Sequence, residues 1–110
     1  MVQHSHLDTS FAALSDPTRR GILEHLTGGR ASVSDLAVRF EMSIPGITKH
    51  IRVLEEAGLV VTEKKGRVRY CTIGANPLDR EAAWIRDYRQ VLEERLDRLG
   101  AFLDRTKEPS

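Results

Sequence analysis

The 110-residue sequence predicts a mainly α-helical chain with a small β-hairpin, a winged helix-turn-helix that dimerises through terminal helices. Three observations predict this fold class. Two short amphipathic segments, "SVSDLAVRF" and "SIPGITKHIRVLEE", are separated by only a few residues, which is typical of a helix-turn-helix. The next segment, "LVVTEKKGRVRYCTI", places two β-branched runs around Lys65-Gly66 and indicates a hairpin. A long amphipathic segment then predicts the terminal helix.

The length and composition predict a single domain, residues 1–110, in a cytoplasmic protein. We expect residues 7–75 to form its core and residues 77–105 to form a C-terminal dimerisation helix. No apolar run approaches the roughly 18 residues of a membrane span, and the first ten residues lack the apolar core of a signal peptide. With one cysteine, Cys71, no intramolecular disulfide can form.

The first three helices are predicted from apolar spacing and capping residues. Asp16 is a natural N-cap and Pro17 fits the first position of the second helix, which Gly28-Gly29 ends. A brief extended Ser32-Val33 precedes the third helix, for which Ser34 is the expected N-cap. The first helix is predicted from apolar residues at i, i+4 and i+7: Leu7, Phe11 and Leu14.

The fourth helix opens on a Ser-Ile-Pro-Gly turn. We expect Ser43 to cap it and Gly58 to end it, so that it spans about residues 44–57. Pro45 costs little there, because the N–H groups of a first helical turn have no partner within the helix. Gly46 lets the backbone approach another surface closely. The helix therefore begins with a compact tip that carries little side-chain bulk.

The net charge of +1 hides a local gradient. Residues 46–70 contain six Lys and Arg against three Glu, a local charge of +3, whereas the segments before and after each sum to −1. A basic stripe is the electrostatic footprint of a protein that binds polyanions, although an ordinary solvated surface gives the same balance.

Double-stranded DNA is the partner that these elements predict. In a helix-turn-helix the second helix enters the major groove, and a basic hairpin follows the backbone or enters the minor groove. Thr48 can donate to a phosphate or touch a thymine methyl group, and Lys49 can reach guanine or the backbone. His50 contacts either a phosphate or a neighbouring helix.

The candidate DNA-binding residues are Ser43, Pro45, Gly46, Thr48, Lys49, His50 and Arg52 of the fourth helix, with Lys64, Lys65, Arg67 and Arg69 of hairpin 60–73. Arg67 and Arg69 are expected to share a strand face. A solvated helix face and an ordinary charged hairpin end remain the alternatives.

The last helix is expected to start at Asn76-Pro77 and to run to about Arg105. Its apolar positions begin at Leu78 and keep the 3-4 spacing for over three turns, so the stripe needs a partner surface. That surface is either its own domain or a second copy of the chain. The predicted dimer residues are Leu7, Phe11, Trp84, Tyr88, Leu92, Leu96 and Leu99.

Metal, thiol and enzyme chemistry find little support in the sequence. The third helix lacks Cys and His, the last helix lacks His, and His4-x-His6 is a weak ligand pair, so we predict no metal and no cofactor. Cys71 is either a redox switch or a partly buried strand residue. No phosphate loop, nucleophile with its base, or catalytic carboxylate pair is present, so we predict no enzyme.

The segments "LSDPTRRGILEHL", "SVSDLAVRFEMSIPGITKHIRVLEEAGLV" and "GRVRY" resemble, in this order, the ArsR family of winged-helix transcriptional regulators. The match covers about residues 7–75, and the tail is similar to a subgroup lacking an obvious metal site. The resemblance implies a homodimeric repressor, with autorepression as one mode, that binds an inverted-repeat operator through the fourth helix.

Three positions depart from the pattern of the family. Ile44 stands where a polar residue, often Gln, is usual, and Gly46 stands where the family carries a bulkier residue, so a habitual base contact is missing. Leu92 replaces a frequent aromatic residue of the subgroup, which should leave the dimer helix intact. The alternatives are a winged-helix module that binds protein and a metal- or thiol-responsive repressor. The effector is unknown.

Overall fold

The computed structural model describes residues 6–107, and its elements confirm the predicted mainly helical fold with a β-hairpin. The chain up to Leu78 forms one compact unit, and the long last helix forms a second. The elements in chain order are α1 (His6–Leu14), α2 (Pro17–Leu26), β1 (Ala31–Ser32), α3 (Val33–Arg39), α4 (Ile44–Glu56), β2 (Val60–Lys65), β3 (Val68–Ile73) and α5 (Asp79–Lys107).

Side-chain caps fix the starts of α2 and α4 as the sequence predicts. The carboxylate of Asp16 accepts a hydrogen bond from the Arg19 N–H at 3.0 Å, and Pro17 occupies the first turn. The hydroxyl of Ser43 accepts one from the Gly46 N–H at 3.1 Å. Both helices therefore begin at positions that local chemistry determines.

The predicted start of α3 is wrong by two residues. Its N-cap is Ser32, whose hydroxyl accepts a hydrogen bond from the Asp35 N–H at 3.0 Å, and Val33 is helical rather than extended. Ser34 lies inside the helix and is exposed. The reason is tertiary, because Ser32 is also the last residue of β1 and pairs with Tyr70, which holds it in the extended conformation that an N-cap needs.

The hairpin belongs to a three-stranded antiparallel sheet with the order β1-β3-β2. Its register runs from Val60 opposite Ile73 to Lys65 opposite Val68, which leaves Gly66 and Arg67 as a two-residue turn. Gly66 has φ +63°, and a glycine at this first central position suits a tight hairpin turn. The predicted extended segment, Ser32-Val33, overlaps β1 only at Ser32, and the pairing of β1 with the hairpin follows from no local pattern in the sequence.

The core lies between the helices and the sheet. The apolar faces of the helices point inward: Ile47, Ile51 and Leu54 of α4 are buried, and Ile22 and Leu26 of α2 join them. Burying such side chains contributes about 1.5–3 kcal/mol each relative to leaving them in water. The remaining buried apolar residues are Ala13, Ala31, Leu36, Ala37, Ala57, Leu59, Val60 and Cys71.

The end of α4 and the exit of the hairpin cross at very short range. Gly58 ends the helix with φ +71°, a conformation that favours glycine. The Gly74 N–H donates to the Leu59 carbonyl at 2.8 Å, and a Cβ on Gly74 would collide with the backbone of Gly58. Only glycine fits this crossing, which we call the α4–hairpin junction.

Asn76 completes the α4–hairpin junction. Its N–H donates to the Gly58 carbonyl at 3.1 Å, and its side-chain amide donates to the Ala57 carbonyl at 2.7 Å. The same amide donates to the hydroxyl of buried Ser10 in α1 at 3.3 Å. One side chain therefore ties the end of α4 and the segment after the hairpin to α1.

The last helix begins later than predicted. The carbonyl oxygen of the Asn76 side chain accepts a hydrogen bond from the Leu78 N–H at 2.9 Å, and Leu78 has φ +61°, outside the helical region. Leu78 packs against the core of the first unit, so it does not belong to the stripe of α5. Within residues 6–107, no helix is long and apolar enough to cross a membrane.

We predict that Asn76→Ala lowers the free energy of unfolding by about 1–3 kcal/mol, because it removes the donor shared by the Ala57 carbonyl and the Ser10 hydroxyl. Urea denaturation followed by circular dichroism measures the change. Gln90→Ala, which removes an exposed amide from α5, is the matched control and should change stability little. Equal stability of the two variants would contradict the role assigned to the junction.

Candidate nucleic-acid interface

The outward face of α4 carries the predicted contact residues. Ser43, Pro45, Lys49 and Arg52 are exposed, while the apolar face of the same helix is buried in the core. Thr48 is half-buried. The first turn of α4 presents the positive end of the helix dipole, which suits a phosphate, while Pro45 has no N–H and the Gly46 N–H is donated to the Ser43 hydroxyl.

Gly46 has a structural role besides the predicted close approach. A Cβ at this position would lie 3.1 Å from the Ser43 hydroxyl oxygen and 3.3 Å from the Met42 Cε. The glycine therefore leaves room for the capping hydrogen bond that starts α4. The cap of α4 is therefore a second reason for a glycine at this position, beside the predicted close approach of another surface.

The hairpin of β2, β3 and their turn, here called the wing, exposes four cationic side chains. Lys64, Lys65, Arg67 and Arg69 are all exposed. Arg67 is the second turn residue, and β3 begins one residue later, so the expected shared strand face with Arg69 is wrong. Arg69 lies opposite Lys64 in the hairpin register. The turn therefore separates Arg67 from the strands and places it at the tip of the wing.

A chain of hydrogen bonds joins the wing to α4. The guanidinium of Arg69 donates to the Thr62 hydroxyl at 3.2 Å, and that hydroxyl donates to the Glu55 carboxylate at 2.8 Å. The sequence does not reveal the roles of Glu55 and Thr62, because the contact spans three elements and shows no local pattern. Arg69 is therefore oriented toward α4 rather than projecting freely like Arg67.

His50 contacts a neighbouring helix, one of the two alternatives that the sequence left open. Its Nδ1 lies 3.2 Å from the Arg19 Nη1 and 3.8 Å from the Asp16 carboxylate. Arg19 also donates to the carbonyls of Ala13 and Ala12 at 2.9 Å each. No pattern in the sequence predicts this role of Arg19, which joins α1, α2 and α4.

Asp16 is an ionised partner in this cluster. The hydrogen bond from the Arg19 N–H lowers the pKa of Asp16 below its usual value, and the charges of His50 and Arg19 act in the same direction. The carboxylate therefore stays charged at neutral pH, and its cap on α2 persists. Acidification below its pKa would weaken the cap.

Four cations of the candidate interface are free to meet an external anion. No hydrogen bond or ion pair within residues 6–107 engages the charged groups of Lys49, Arg52, Lys64 and Arg67. Lys65 lies 3.8 Å from the Glu63 carboxylate, an exposed ion pair of the kind that contributes little. The basic surface thus has unpaired charge on both α4 and the wing.

Cys71 lies in the core, which matches the strand-residue alternative. It is fully buried, and burial raises the pKa of its thiol to about 11, with the Glu55 charge adding to the shift. A thiol with so high a pKa carries almost no thiolate at neutral pH, and the thiolate is the reactive form. The geometry disfavours a redox switch here.

The described residues do not fit a metal site. No group of three or more His, Cys, Asp and Glu within residues 6–107 is arranged to hold a metal ion. His4 of the predicted weak pair lies outside the described residues, and the ring of His6 contacts the Asn76 amide at 3.3 Å.

The second unit, α5, carries an exposed apolar stripe. The Trp84 and Tyr88 rings stack with centroids 5.4 Å apart. Leu92, Leu96 and Leu99 continue the same face and are 40%, 65% and 52% exposed in the single chain. In α1, the predicted contacts Leu7 and Phe11 are half-buried.

A winged helix-turn-helix with free cations on its second helix and wing defines the class of DNA-binding transcriptional regulators. A family model described as "Helix-turn-helix domain" matches residues 14–63. The transcriptional repressor SdpR of Bacillus subtilis is 33% identical over 82 residues, which cover 74% of this chain and 91% of SdpR. The chain belongs to the ArsR family of transcriptional regulators, which its similarity to SdpR and to two solved ArsR-type structures shows.

Solved structures agree with this assignment. The crystal structure of an ArsR family transcriptional regulator is similar with a TM-score of 0.72 and 43% identity, covering 81% of this chain and 98% of that one. An ArsR-like transcriptional regulator from Rhodococcus sp. RHA1 is similar with a TM-score of 0.77 and 32% identity, covering 92% and 93% of the two chains.

We predict that the Cys71 thiol reacts with a thiol reagent at neutral pH only as fast as the folded chain opens. Absorbance assays with an aromatic disulfide should show slow labelling in buffer and immediate labelling in urea. The matched control is Cys71→Ala with Thr72→Cys, which moves the thiol to the exposed neighbouring position and should react at once. Fast labelling of the native wild type would support the alternative that Cys71 is a redox switch.

Proposed function

We propose that this regulator is a homodimeric, cytoplasmic repressor that binds an inverted-repeat operator in double-stranded DNA. The observation that carries the proposal is the set of free cations on α4 and the wing, two elements joined by the α4–hairpin junction. The named repressor SdpR supports the direction of regulation. Autorepression is the simplest mode, in which the operator lies beside its own gene.

In this proposal α4 enters the major groove. Lys49 and Arg52 reach guanine edges or phosphates from its exposed face, and Thr48 contacts a phosphate or a thymine methyl group. The tip formed by Ser43, Pro45 and Gly46 carries little side-chain bulk, so it can approach the DNA backbone closely, and the positive end of the helix dipole there suits a phosphate. These contacts combine base recognition with positioning on the duplex.

The wing contributes positioning contacts in the same proposal. Lys64, Lys65 and Arg67 meet phosphates or the minor groove beside the site of α4. The Arg69 guanidinium donates to the Thr62 hydroxyl. Arg69 therefore contacts DNA either in this orientation or after a small rotation of the guanidinium. His50 acts through Arg19 by orienting α4 against α2.

We assign residues 7–75 to DNA binding and α5, Asp79–Lys107, to dimerisation. The stripe of Trp84, Tyr88, Leu92, Leu96 and Leu99 supports the second role, because so many exposed large apolar groups on one helix mark an interaction surface. A twofold dimer would present two α4 helices to two half-sites about one helical turn apart. Leu7 and Phe11 remain predicted members of the interface.

We predict that Lys49→Ala and Arg67→Ala weaken DNA binding in different ways. Duplexes selected from a random pool by the wild type supply the sites, and fluorescence anisotropy at several salt concentrations measures affinity. Lys49→Ala should cost about 1–3 kcal/mol and relax sequence preference at one position. Arg67→Ala should weaken all duplexes alike and reduce the slope of log affinity against log salt by about 1.

The two variants serve as controls for each other, since each removes one unpaired exposed cation. Equal, sequence-independent losses would show that α4 is not the reading element. An affinity of the wild type that does not change with salt would contradict DNA binding through this surface and favour a module that binds protein.

We predict that Leu96→Asp yields a folded monomer that no longer holds the full operator. Burying each Leu contributes about 1.5–3 kcal/mol, and an aspartate in the stripe would place an unpaired charge in both halves of the interface. Light scattering gives the mass, and a gel shift gives operator binding.

Gln90→Asp adds the same charge to the opposite face of α5 and should leave the dimer intact, so it is the matched control. A Leu96→Asp variant that stays dimeric would place the interface elsewhere. A monomer that binds the full operator normally would show that recognition does not need the dimer.

A further inference from the structure

An apolar patch lies among the cations of the candidate interface. Ile44, the first residue of α4, is 48% exposed, and Val68, the first residue of β3, is 39% exposed. Both line one groove of about 270 Å³ between the start of α4 and the wing. The same groove is lined by Thr48, Arg67 and Arg69.

Folding does not account for the exposure of Ile44. The buried face of α4 consists of Ile47, Ile51 and Leu54, and the start of the helix is fixed by the Ser43 cap and Pro45. An isoleucine in the first turn adds nothing to either, and about half of its surface remains in water. Its position one helical turn before Thr48 places both side chains on the same face.

We propose that Ile44 determines sequence specificity by packing against the 5-methyl group of a thymine in each half-site. The inference rests on the proposed function, in which the first turn of α4 faces the major groove. Thymine is the base that presents a methyl group there, whereas the other bases present hydrogen-bonding groups. A side chain without donors or acceptors gains from the methyl group and would leave the polar edges of other bases unpaired.

The charges around the patch identify nucleic acid as its occupant. Arg67 and Arg69 flank the groove, and Lys49 lies on the exposed face of the same helix with no partner within residues 6–107. A phosphate backbone complements these cations while a base edge meets the apolar floor. An apolar protein segment would match the floor and leave the flanking charges without partners.

Replacing thymine by deoxyuridine tests the contact, because this change removes only the methyl group. Duplexes selected by the wild type are resynthesised as a series. In each member, deoxyuridine replaces thymidine at one position, the same in both half-sites. Fluorescence anisotropy then measures the affinity of each duplex. We expect one symmetric thymine position to be sensitive. Each deoxyuridine at that position should lower the affinity about fourfold, which corresponds to one buried methyl group.

The variant Ile44→Ala should bind the thymine duplex about as weakly as the wild type binds the deoxyuridine duplex, and it should lose its sensitivity to deoxyuridine at that position. Val38→Ala, which shortens another exposed aliphatic side chain on α3, is the matched control and should keep the full sensitivity. The inference is overturned if no thymine position is sensitive, or if Ile44→Ala stays as sensitive as the wild type. Failure to select any duplex would instead contradict the proposed function, and the inference would fall with it.

Discussion

The crossing of the α4 end with the hairpin exit is the constraint on which the rest of the first unit depends. Gly58 turns the chain out of the helix, and Gly74 allows the returning strand to pass against that turn at backbone contact distance. Asn76 then closes the crossing with hydrogen bonds to the Gly58 and Ala57 carbonyls. The orientation of the wing relative to α4 is therefore determined by backbone contacts, which leave little freedom for either element to move separately.

A second connection between the two elements runs along their outer side. The Glu55–Thr62–Arg69 chain links the last turn of α4 to both strands of the wing. Because the α4–hairpin junction and this chain both connect α4 to the wing, the cations of the two elements keep fixed relative positions. A preorganised surface loses less conformational freedom on binding than a flexible one, which favours affinity for a rigid polyanion such as duplex DNA.

Local chemistry explains why so much of this architecture is readable from the sequence. Asp16, Ser43 and Pro45 act within one helical turn, and the apolar face of α4 follows helical periodicity, so α2 and α4 are predicted closely. The hairpin is equally local, because Gly66 determines the turn. The family follows from the same segments, since the motifs that resemble ArsR regulators lie in these elements.

The errors occur where a distant residue decides the outcome. Pairing of Ser32 with Tyr70 moves the cap of α3, and packing of Leu78 against the core delays the start of α5. The roles of Arg19 and Thr62 depend on partners in other elements, so no pattern in the chain reveals them. The position of Arg67 is the exception, since the turn was expected one residue earlier, around Lys65-Gly66, and lies at Gly66-Arg67.

We propose that α4 and the wing meet DNA as one rigid surface, twice in a symmetric complex. Hydroxyl-radical footprinting of the wild type on a selected duplex tests this arrangement. We expect two symmetric sets of protected sugars about one helical turn apart, each with a flanking protection at a constant offset, where the wing lies. Protection without the flanking segments, or at a single site without symmetry, would contradict it.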